Sequence, residues 1–440
     1  ETTALYARIR AALHGPRHNL PAALTGFVGR EEELELVRRK FANPACRLLT
    51  IVGPGGAGKS RLALAAAAAL TPAFLNGAWY VSLAAVSADE PEALPATLAA
   101  ALQIPTGAGD LRRQVIGYLR QRELLLVLDN LEHLLDDIGW LSELLTAAPD
   151  VKILATSRER LNLQVEQVLQ LGGLPVPAAD AAQPEEFAAV ALFVRRARRV
   201  QSDFALTPQT TPAVVQVCQM VGGLPLGIEL AAAWVNQLTC HEIAAAIAAN
   251  LDFLATTQRD VSPRQRSLRA AFDHSWRLLR PAEQDAFARL AVFRGNFART
   301  AAAAVADVPL STLAALVDKS LVRKEEGERY DLHEVLRQFA TEQWQTLPAV
   351  VATIQPRHSQ FYLHLLASLA TRRSISTLAA MSRPVRPMRQ SMPAPSPITA
   401  DAVRWPSRCP APGPTAGRLP RANWRCSSPL RTSACQPARI

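Results

Sequence analysis

Short apolar runs alternate with longer helical patterns in the first part of the chain. Runs of this kind are typical of strands buried on both faces of a parallel sheet. The alternation predicts a doubly wound α/β domain over residues 21–175. The predicted strands are 48–52, 79–83, 124–128, 151–155 and 168–171. The predicted helices between them include 60–70, 91–102, 110–122 and 131–147, which are rich in Ala and Leu.

The strand pattern largely ends at Pro175 and Pro177, and helical periods follow. These periods predict an all-α domain over residues 178–255. Its predicted helices are 184–200, 212–221, 226–238 and 240–251.

Residues 262–345 again carry several helical segments, and two short strand-like runs, 320–324 and 329–332, flank a Glu-Gly pair. Helices followed by such a hairpin predict a winged-helix domain over 262–345. At the start of the chain, residues 1–20 predict a short helix and a linker.

The composition changes this picture at one place. The chain has 440 residues, 49% hydrophobic and 20% charged, which favours several folded domains and excludes global disorder. Its net charge of +10 is concentrated in residues 371–440, which hold 12 Arg, one acid and 12 of the 32 prolines. The basic balance is therefore poor evidence that the folded part binds nucleic acid. Residues 371–440 are expected to be a disordered Arg/Pro-rich tail or the product of a frameshift.

The sequence has no signal-peptide pattern and no apolar run of 18 or more residues. We therefore expect a cytoplasmic protein without a membrane partner.

One motif carries phosphate chemistry. The residues of this motif are Gly53, Pro54, Gly55, Gly56, Ala57, Gly58, Lys59 and Ser60, which match G-x-x-x-x-G-K-[ST]. Glycine allows the loop to approach phosphate oxygens and to point its N–H groups inward. Lys59 would contact the β- and γ-phosphates, and the hydroxyl of Ser60 would bind Mg²⁺. The alternative, a chance Gly-rich turn, does not explain why an apolar strand precedes the loop and a helix follows it.

A magnesium-organising carboxylate is expected on a neighbouring strand. Asp129 follows the apolar run 124–128, as in a Walker B motif, and the alternative is an Asp that caps the next helix. The spacing between the two motifs leaves room for an extra strand. It thus predicts the additional-strand class of P-loop NTPase, with the sheet order 5-1-4-3-2.

Several further motifs, in this order, resemble the signal-transduction ATPases with numerous domains (STAND), specifically the NB-ARC-like modules of bacterial SARP- and LuxR-type transcriptional regulators. These motifs are Phe27-Val28-Gly29-Arg30-Glu31, Ile153-Leu154-Ala155-Thr156-Ser157-Arg158, Gly222-Gly223-Leu224-Pro225-Leu226 and Leu332-His333-Glu334, together with the two Walker motifs.

The resemblance implies that ATP or ADP and Mg²⁺ bind here. It implies that Val28, Gly29 and Arg30 flank the adenine and ribose, and that Pro225 packs on the adenine. Arg158 would sense the γ-phosphate, and His333 would reach the β-phosphate of ADP.

Arg61, which follows Ser60, completes the candidate nucleotide-binding residues. Each carried-over residue keeps a simpler alternative. Arg30 is otherwise a surface residue, Arg158 a salt-bridge partner, Pro225 a turn residue and His333 a buried or surface histidine.

The chain departs from the family pattern at Asn130, where many relatives have a second acid that orients the attacking water. An amide can position water but cannot accept its proton. Glu132 or His133 are the candidate substitutes, and slow hydrolysis is expected.

The resemblance also suggests neighbouring domains. Residues 1–20 look like the end of an upstream helical activator domain, and residues 346–370 look like the start of TPR-like sensor repeats. A DNA-binding domain upstream would then make contact with DNA indirect for this module, and the nucleotide could control oligomerisation.

Three functions remain open at this stage. The first is an ATP/ADP switch with slow ATPase activity. The second is direct DNA binding by the winged helix, the basic tail, or the cluster Arg195, Arg196, Arg198 and Arg199. The third is a metabolic P-loop kinase, for which the sequence shows no acceptor-substrate pocket.

Overall fold

The computed structural model describes residues 18–22, 25–87, 92–105, 107–256, 266–345 and 348–381. The chain divides after Ser376 into two compact units. Residues 371–381 of the predicted tail belong to a helix, so the expected disorder is wrong there. From 382 onward the tail lies outside the described residues and stays a prediction. Most of the predicted N-terminal helix and linker is outside them as well.

A five-stranded parallel sheet forms the first part of the molecule. Its strands are β1 (Leu48–Val52), β2 (Ala78–Ser82), β3 (Leu124–Asp129), β4 (Val151–Ser157) and β5 (Glu166–Gln170). They lie in the order β2-β3-β4-β1-β5. The predicted order 5-1-4-3-2 is confirmed, and every predicted strand is present within a few residues of its predicted bounds.

Helices cover both faces of this sheet. They are α1 (Glu31–Ala42), α2 (Lys59–Leu70), α3 (Ala93–Ala101), α4 (Leu111–Leu119) and α5 (Trp140–Ala147). Alternate residues of β3 face opposite layers: Leu125 and Val127 pack with α1 and α2, whereas Leu126 and Leu128 pack with α3, α4 and α5. The inner strands β1, β3 and β4 are buried almost throughout, as their apolar sequences predict, whereas the edge strands β2 and β5 are partly exposed.

The predicted helix over 131–147 is wrong in its first half. Only α5 is an α-helix, and residues 135–137 form a single 3-10 turn. Asn130 has φ 73°, and the backbone N–H of Leu131 donates to the carbonyl of Thr156. The chain is therefore tied to the end of β4 after Asp129, which prevents a helix from starting there.

Four helices follow the sheet in a mostly apolar bundle. They are α6 (Ala188–Val200), α7 (Thr211–Met220), α8 (Pro225–Ala232) and α9 (Cys240–Ala249). The last of these begins with a capping box between Thr239 and Glu242, which satisfies backbone N–H groups at its N-terminus. The bundle shares one continuous core with the α1/α2 face of the sheet.

The next segment combines helices with a small antiparallel sheet. Its helices are α10 (Leu268–Arg277), α11 (Pro281–Leu290), α12 (Arg299–Ala306), α13 (Leu310–Asp318), α14 (Glu334–Gln345) and α15 (Pro348–Met381). The strands β6 (Phe297–Ala298), β7 (Arg323–Lys324) and β8 (Arg329–Asp331) lie in the order β6-β8-β7. The predicted hairpin is thus present as β7 and β8, and β6 is an addition. The winged-helix interpretation and the domain bounds remain predictions.

Within the part of the chain that the structure describes, no single helix is long and apolar enough to cross a membrane. The pair α12 and α13 passes such a test together, but the two helices bend by 114°.

Candidate functional site

The loop between β1 and α2 has the geometry that a phosphate cradle requires. Gly56 has φ 82°, and Gly58, at the N-cap of α2, has φ 91°. Residues with a side chain rarely adopt such angles, so the two glycines are needed for the backbone path. The loop places Lys59 and Ser60 in the first turn of α2, where free N–H groups and the helix dipole favour an anion.

The side chain of Lys59 is folded back onto its own loop. Its Nζ donates to the carbonyl oxygens of Gly53, at 2.8 Å, and Pro54, at 3.1 Å. The pKa of Lys59 is lowered to about 8, mainly by burial; the charge of Glu132 opposes this shift, that of Arg158 adds to it and that of Asp129 opposes it. The ammonium therefore lies among the ionic groups of the predicted site.

Asp129 is the last residue of β3, and its carboxylate is fixed from both sides. Oδ1 accepts a hydrogen bond from the hydroxyl of Thr156 at 2.6 Å, and Oδ2 accepts one from the hydroxyl of Tyr80 at 2.9 Å. Burial and the charge of Asp129 raise the pKa of Tyr80, so the phenol stays protonated and keeps donating. The structure thus holds Asp129 in one orientation at the carboxyl edge of the sheet.

The donors at this edge fit a magnesium ion that also binds phosphates. Mg²⁺ prefers oxygen ligands and usually takes one or two from the protein, with the others from water and the nucleotide. The hydroxyl of Ser60 and the carboxylate of Asp129 are such ligands. Among the described residues there is no cluster of three or more His, Cys, Asp or Glu that would form an all-protein metal site.

Arg158 follows β4 and is almost fully buried. Its Nε donates to Oε1 of Glu132 at 2.9 Å. Its Nη1 donates to the carbonyl of Ala271 at 2.6 Å and to the hydroxyl of Ser275, both in α10. The predicted γ-phosphate sensor therefore also connects the sheet to the segment after the helical bundle.

The entry segment over 25–30 wraps along the outside of α2. Gly29 and Arg30 have φ 66° and 72°, and the guanidinium of Arg30 contacts Glu33 and the carbonyl of Gly172. Arg61 donates to the carbonyls of Thr25 and Gly26, at 2.9 and 2.7 Å.

Val28, in the same entry segment, is partly buried and packs against the main core. The hydrogen bonds of Arg61 to Thr25 and Gly26 hold this segment beside α2, in addition to any contact of Arg61 with nucleotide.

The motif before α8 touches the P-loop. The N–H of Leu226 donates to the carbonyl of Gly56 at 3.2 Å. Pro225 lies so close to Gly58 that its Cγ would be 3.7 Å from a Cβ on that glycine. Pro225 is therefore brought to the P-loop, and its packing on the adenine stays a prediction.

His333 contacts the glycine motif that precedes α8. Its Nε2 is 3.0 Å from the carbonyl oxygen of Gly222, which precedes Pro225 by three residues. Burial lowers the pKa of His333, which favours the neutral ring, while the hydrogen bond to Gly222 opposes the shift. The structure thus brings His333 to the glycine motif, and its contact with a phosphate stays a prediction.

Sequence reasoning named Thr156 only as part of a motif and missed the roles of Tyr80, Ala271 and Ser275. Thr156 could have been found as the polar residue at the end of an apolar strand beside β3. No sequence signal identifies the other three, because their contacts depend on how distant segments pack.

The basic cluster of α6 is largely engaged within the chain. Arg196 pairs with Glu229 at 2.6 Å, Arg198 donates to the carbonyl of Phe204, and Arg195 donates to the carbonyl of Phe27. These contacts give three of the four arginines a structural role and do not favour a DNA surface.

A surface groove of about 1070 Å³ lies between residues 178–185, α6 and α7. None of its lining residues belongs to the predicted site.

Residues 43–166 match the family described as AAA domain, a range that begins before β1 and ends at the start of β5. An uncharacterized protein of Mycobacterium tuberculosis is 35% identical over 338 residues, which cover 74% of this chain and 83% of that protein.

Longer relatives are regulators. A protein named as an HTH-type transcriptional regulator of M. tuberculosis is 38% identical over 340 residues, and the regulatory protein AfsR of Streptomyces coelicolor is 28% identical over 378. The match covers 74% and 80% of this chain but 36% of each regulator. The chain thus spans about a third of the length of the regulators it matches.

Among solved structures, a signal transduction ATPase with numerous domains and a tetratricopeptide repeat sensor, from Pyrococcus horikoshii, is 18% identical. The match covers 80% of this chain and 47% of that one, with a TM-score of 0.33. A score this low carries no argument about fold or function.

Proposed function

We propose that this chain, which belongs to the family that includes the M. tuberculosis protein and the matched third of the HTH-type and AfsR regulators and which matches an AAA domain over residues 43–166, works as a switch controlled by adenine nucleotides. ADP holds the resting arrangement of the module. Exchange for ATP changes that arrangement, and slow hydrolysis restores it.

One observation carries the proposal: the phosphate loop and the residues beside it contact both segments that follow the sheet. Gly56 accepts a hydrogen bond from Leu226 of the helical bundle, and Arg158 donates to Ala271 and Ser275 in α10. A change in the charge bound at the loop therefore acts directly on the contacts that hold these segments to the sheet.

The residues divide the work as follows. When bound, Mg²⁺ would reduce the negative charge of the phosphate oxygens. Ser60 and Asp129 hold the ion, and Thr156 and Tyr80 keep Asp129 oriented. Lys59 exchanges its two backbone carbonyl partners for phosphate oxygens.

Arg158 is the residue through which the γ-phosphate acts. Its guanidinium is held by Glu132 and α10, and a γ-phosphate competes for the same donors. If the arginine turns toward the phosphate, α10 loses two hydrogen bonds and the segment after the helical bundle is released.

The energy required is within reach of a few contacts. Shifting a two-state equilibrium from 1:99 to 99:1 takes about 5.5 kcal/mol of differential binding. A hydrogen bond to a charged group contributes about 1.5–3 kcal/mol. About two to four bonds that the γ-phosphate makes in only one arrangement therefore supply this difference.

In the proposal, DNA is contacted by the HTH segment of the regulator, and this module acts on DNA only indirectly. Nucleotide exchange changes the contacts between the modules of the regulator. These changes include nucleotide-dependent oligomerisation.

Calorimetry with ADP and ATP in millimolar magnesium tests the proposal on the full chain. We expect both nucleotides to bind and Lys59→Ala to lose at least about 100-fold in affinity, because two or more charge-assisted contacts disappear. Lys40→Ala is the control, since the Nζ of Lys40 donates to the side chain of Gln167 near the start of β5. A folded wild-type protein that gives no heat with either nucleotide would overturn the switch.

A further inference from the structure

The residue beside the magnesium-binding aspartate cannot serve as a base. Asn130 has an amide side chain, and its backbone takes a left-handed turn with φ 73°. The turn is anchored on β4: the N–H of Asn130 donates to Thr156 Oγ1 at 2.9 Å, and the N–H of Leu131 donates to Thr156 O at 3.0 Å. The two residues that follow, Glu132 and His133, are thereby placed at the carboxyl edge of the sheet.

Glu132 and His133 point to opposite sides of β3. The Nε2 of His133 lies 2.9 Å from the carbonyl oxygen of Val86, which follows β2. Glu132 instead contacts Arg158, which follows β4. The P-loop follows β1, and β1 is the neighbour of β4 on the side away from β3. Glu132 therefore faces the phosphate loop, and His133 faces the outer strand.

Glu132 also belongs electrostatically to the site. Its side chain is 1% exposed, and its carboxylate lies 2.9 Å from Arg158. Among the nearby acids, Glu132 raises the pKa of Lys59 most, ahead of Asp129. A buried carboxylate that interacts this strongly with the phosphate-binding lysine is close to where phosphates would bind.

We propose that Glu132 is the carboxylate that orients and deprotonates the water attacking the γ-phosphate. The proposal rests on the proposed nucleotide switch and names the catalytic group that Asn130 cannot supply. Placing this group three residues after Asp129, beyond a left-handed turn, replaces the adjacent acid that many relatives carry.

In this hydrolysis, the water oxygen forms a bond with the γ-phosphorus while the bond from that phosphorus to the bridging oxygen breaks. The electron pair of the broken bond stays on ADP, and the water proton passes to the Glu132 carboxylate. The products are ADP and inorganic phosphate, and the proton is later released to solvent.

The contact with Arg158 controls when this carboxylate can act. One Oε of Glu132 accepts a hydrogen bond from the guanidinium and is occupied by it in the present arrangement. When a γ-phosphate draws Arg158 away, the carboxylate becomes available for water. The same residue pair thus connects the change in arrangement to the chemical step.

Steady-state ATP hydrolysis and calorimetric ATP binding, measured on the full chain, test this assignment. Glu132→Gln should lower kcat by about 100-fold or more, the usual effect of a general base, with an ATP Kd within about threefold of wild type. Glu132→Asp keeps the charge that Arg158 needs but withdraws it by one methylene, and should lower kcat by about tenfold or more. Glu159→Gln is the matched control, a partly buried carboxylate paired with Lys319 that should leave kcat unchanged. His133→Asn should also leave it unchanged.

Each outcome decides the matter. Unchanged kcat in Glu132→Asp, or in a folded Glu132→Gln that binds ATP, overturns the assignment. Equal losses in Glu132→Gln and Glu159→Gln also overturn it, since they show that removing any nearby carboxylate has the same effect. If wild-type protein binds ATP without hydrolysing it, the catalytic assignment fails and the switch survives, whereas wild-type protein that binds no nucleotide overturns both.

Discussion

Gly222 and His333 lie 111 residues apart in sequence, yet they pack so closely that no side chain fits on the glycine. A Cβ added to Gly222 would lie 1.8 Å from Nε2 of His333. The same nitrogen is 3.0 Å from the carbonyl oxygen of Gly222 and donates to it in the tautomer with the proton on Nε2, since a carbonyl oxygen only accepts. The contact joins the loop before α8 to the residue before α14.

Gly222→Ala should therefore destabilise the fold. The glycine has φ +54°, a conformation that costs a residue with Cβ about 1–2 kcal/mol, and the ring of His333 must also move. We expect a loss of about 2 kcal/mol or more in the free energy of unfolding, measured by chemical denaturation. Gly117→Ala is the control. Gly117 lies inside α4 with open space around it, so alanine should raise stability by up to about 1 kcal/mol.

His333→Ala should speed the release of ADP. Its Nδ1 is buried without a hydrogen-bond partner among the described residues, and the ring closes the glycine motif behind Pro225. Stopped-flow dissociation of a fluorescent ADP analogue would measure the change, which we expect to be at least about tenfold. His358→Ala, which removes a ring packed on Phe293 and Tyr362, should leave the release rate unaltered. An unchanged release rate in His333→Ala would argue against a contact between His333 and bound ADP.

Nucleotide affinity should fall at alkaline pH. The pKa of Lys59 is about 8 in the free protein, and a bound phosphate raises it. Below pH 8 the ammonium exists before binding, so affinity is highest there. Above pH 8, binding requires proton uptake, and affinity should drop by up to about tenfold per pH unit. Calorimetry between pH 7 and 9.5 measures the slope. Lys59→Arg keeps its charge over this range, and its own affinity should show no such slope.

Thr156→Val should weaken the magnesium-dependent part of nucleotide binding. The hydroxyl donates to Asp129 and accepts from the N–H of Asn130, so its loss frees the carboxylate and costs about 1.5–3 kcal/mol of stability. Thr50→Val is a matched control on β1, because Thr50 Oγ1 is buried without a partner among the described residues. That change should be neutral or slightly stabilising. The comparison of ADP affinity with and without Mg²⁺ separates the two variants.

Arg158→Ala should be strongly destabilising. It removes the guanidinium from Glu132, whose side chain is 1% exposed, and breaking one partner of a buried ion pair costs about 3–5 kcal/mol. The adjacent Arg160→Ala breaks an ion pair with Asp318 in which both side chains are at least 42% exposed, and should cost no more than about 1 kcal/mol. Thermal and chemical denaturation measure the stability of both variants. If Arg158→Ala and Arg160→Ala lose the same amount, the structural role of Arg158 is contradicted.

The sequence predicts the inner strands well because β1 and β3 are almost continuous apolar runs between polar turns, and the run 48–52 has the bounds of β1. The Walker residues could be identified for a different reason, because phosphate binding requires fixed residue types at fixed spacing. The helix over 131–147 was predicted wrongly because a tertiary contact, Leu131 to Thr156, overrides an apolar pattern that suits a helix.

Contacts between distant segments could not be predicted in this way. The Arg158 motif indicates an arginine near phosphates, but its bonds to Ala271 and Ser275 depend on how α10 docks. The arginines of α6 suggest a charged surface in sequence, and only the fold reveals that Glu229 and two backbone carbonyls engage three of them.

The carbonyl oxygen of Ala271 accepts a hydrogen bond from Arg158 and also lies against Gly55, only 3.1 Å from where a Cβ on that glycine would be. A single backbone position thus abuts both the rim of the cradle and its charged neighbour. Neither can shift without disturbing the same turn of helix. In the proposed switch, intermediate arrangements are therefore disfavoured, and we expect an abrupt transition between the ADP and the ATP arrangement.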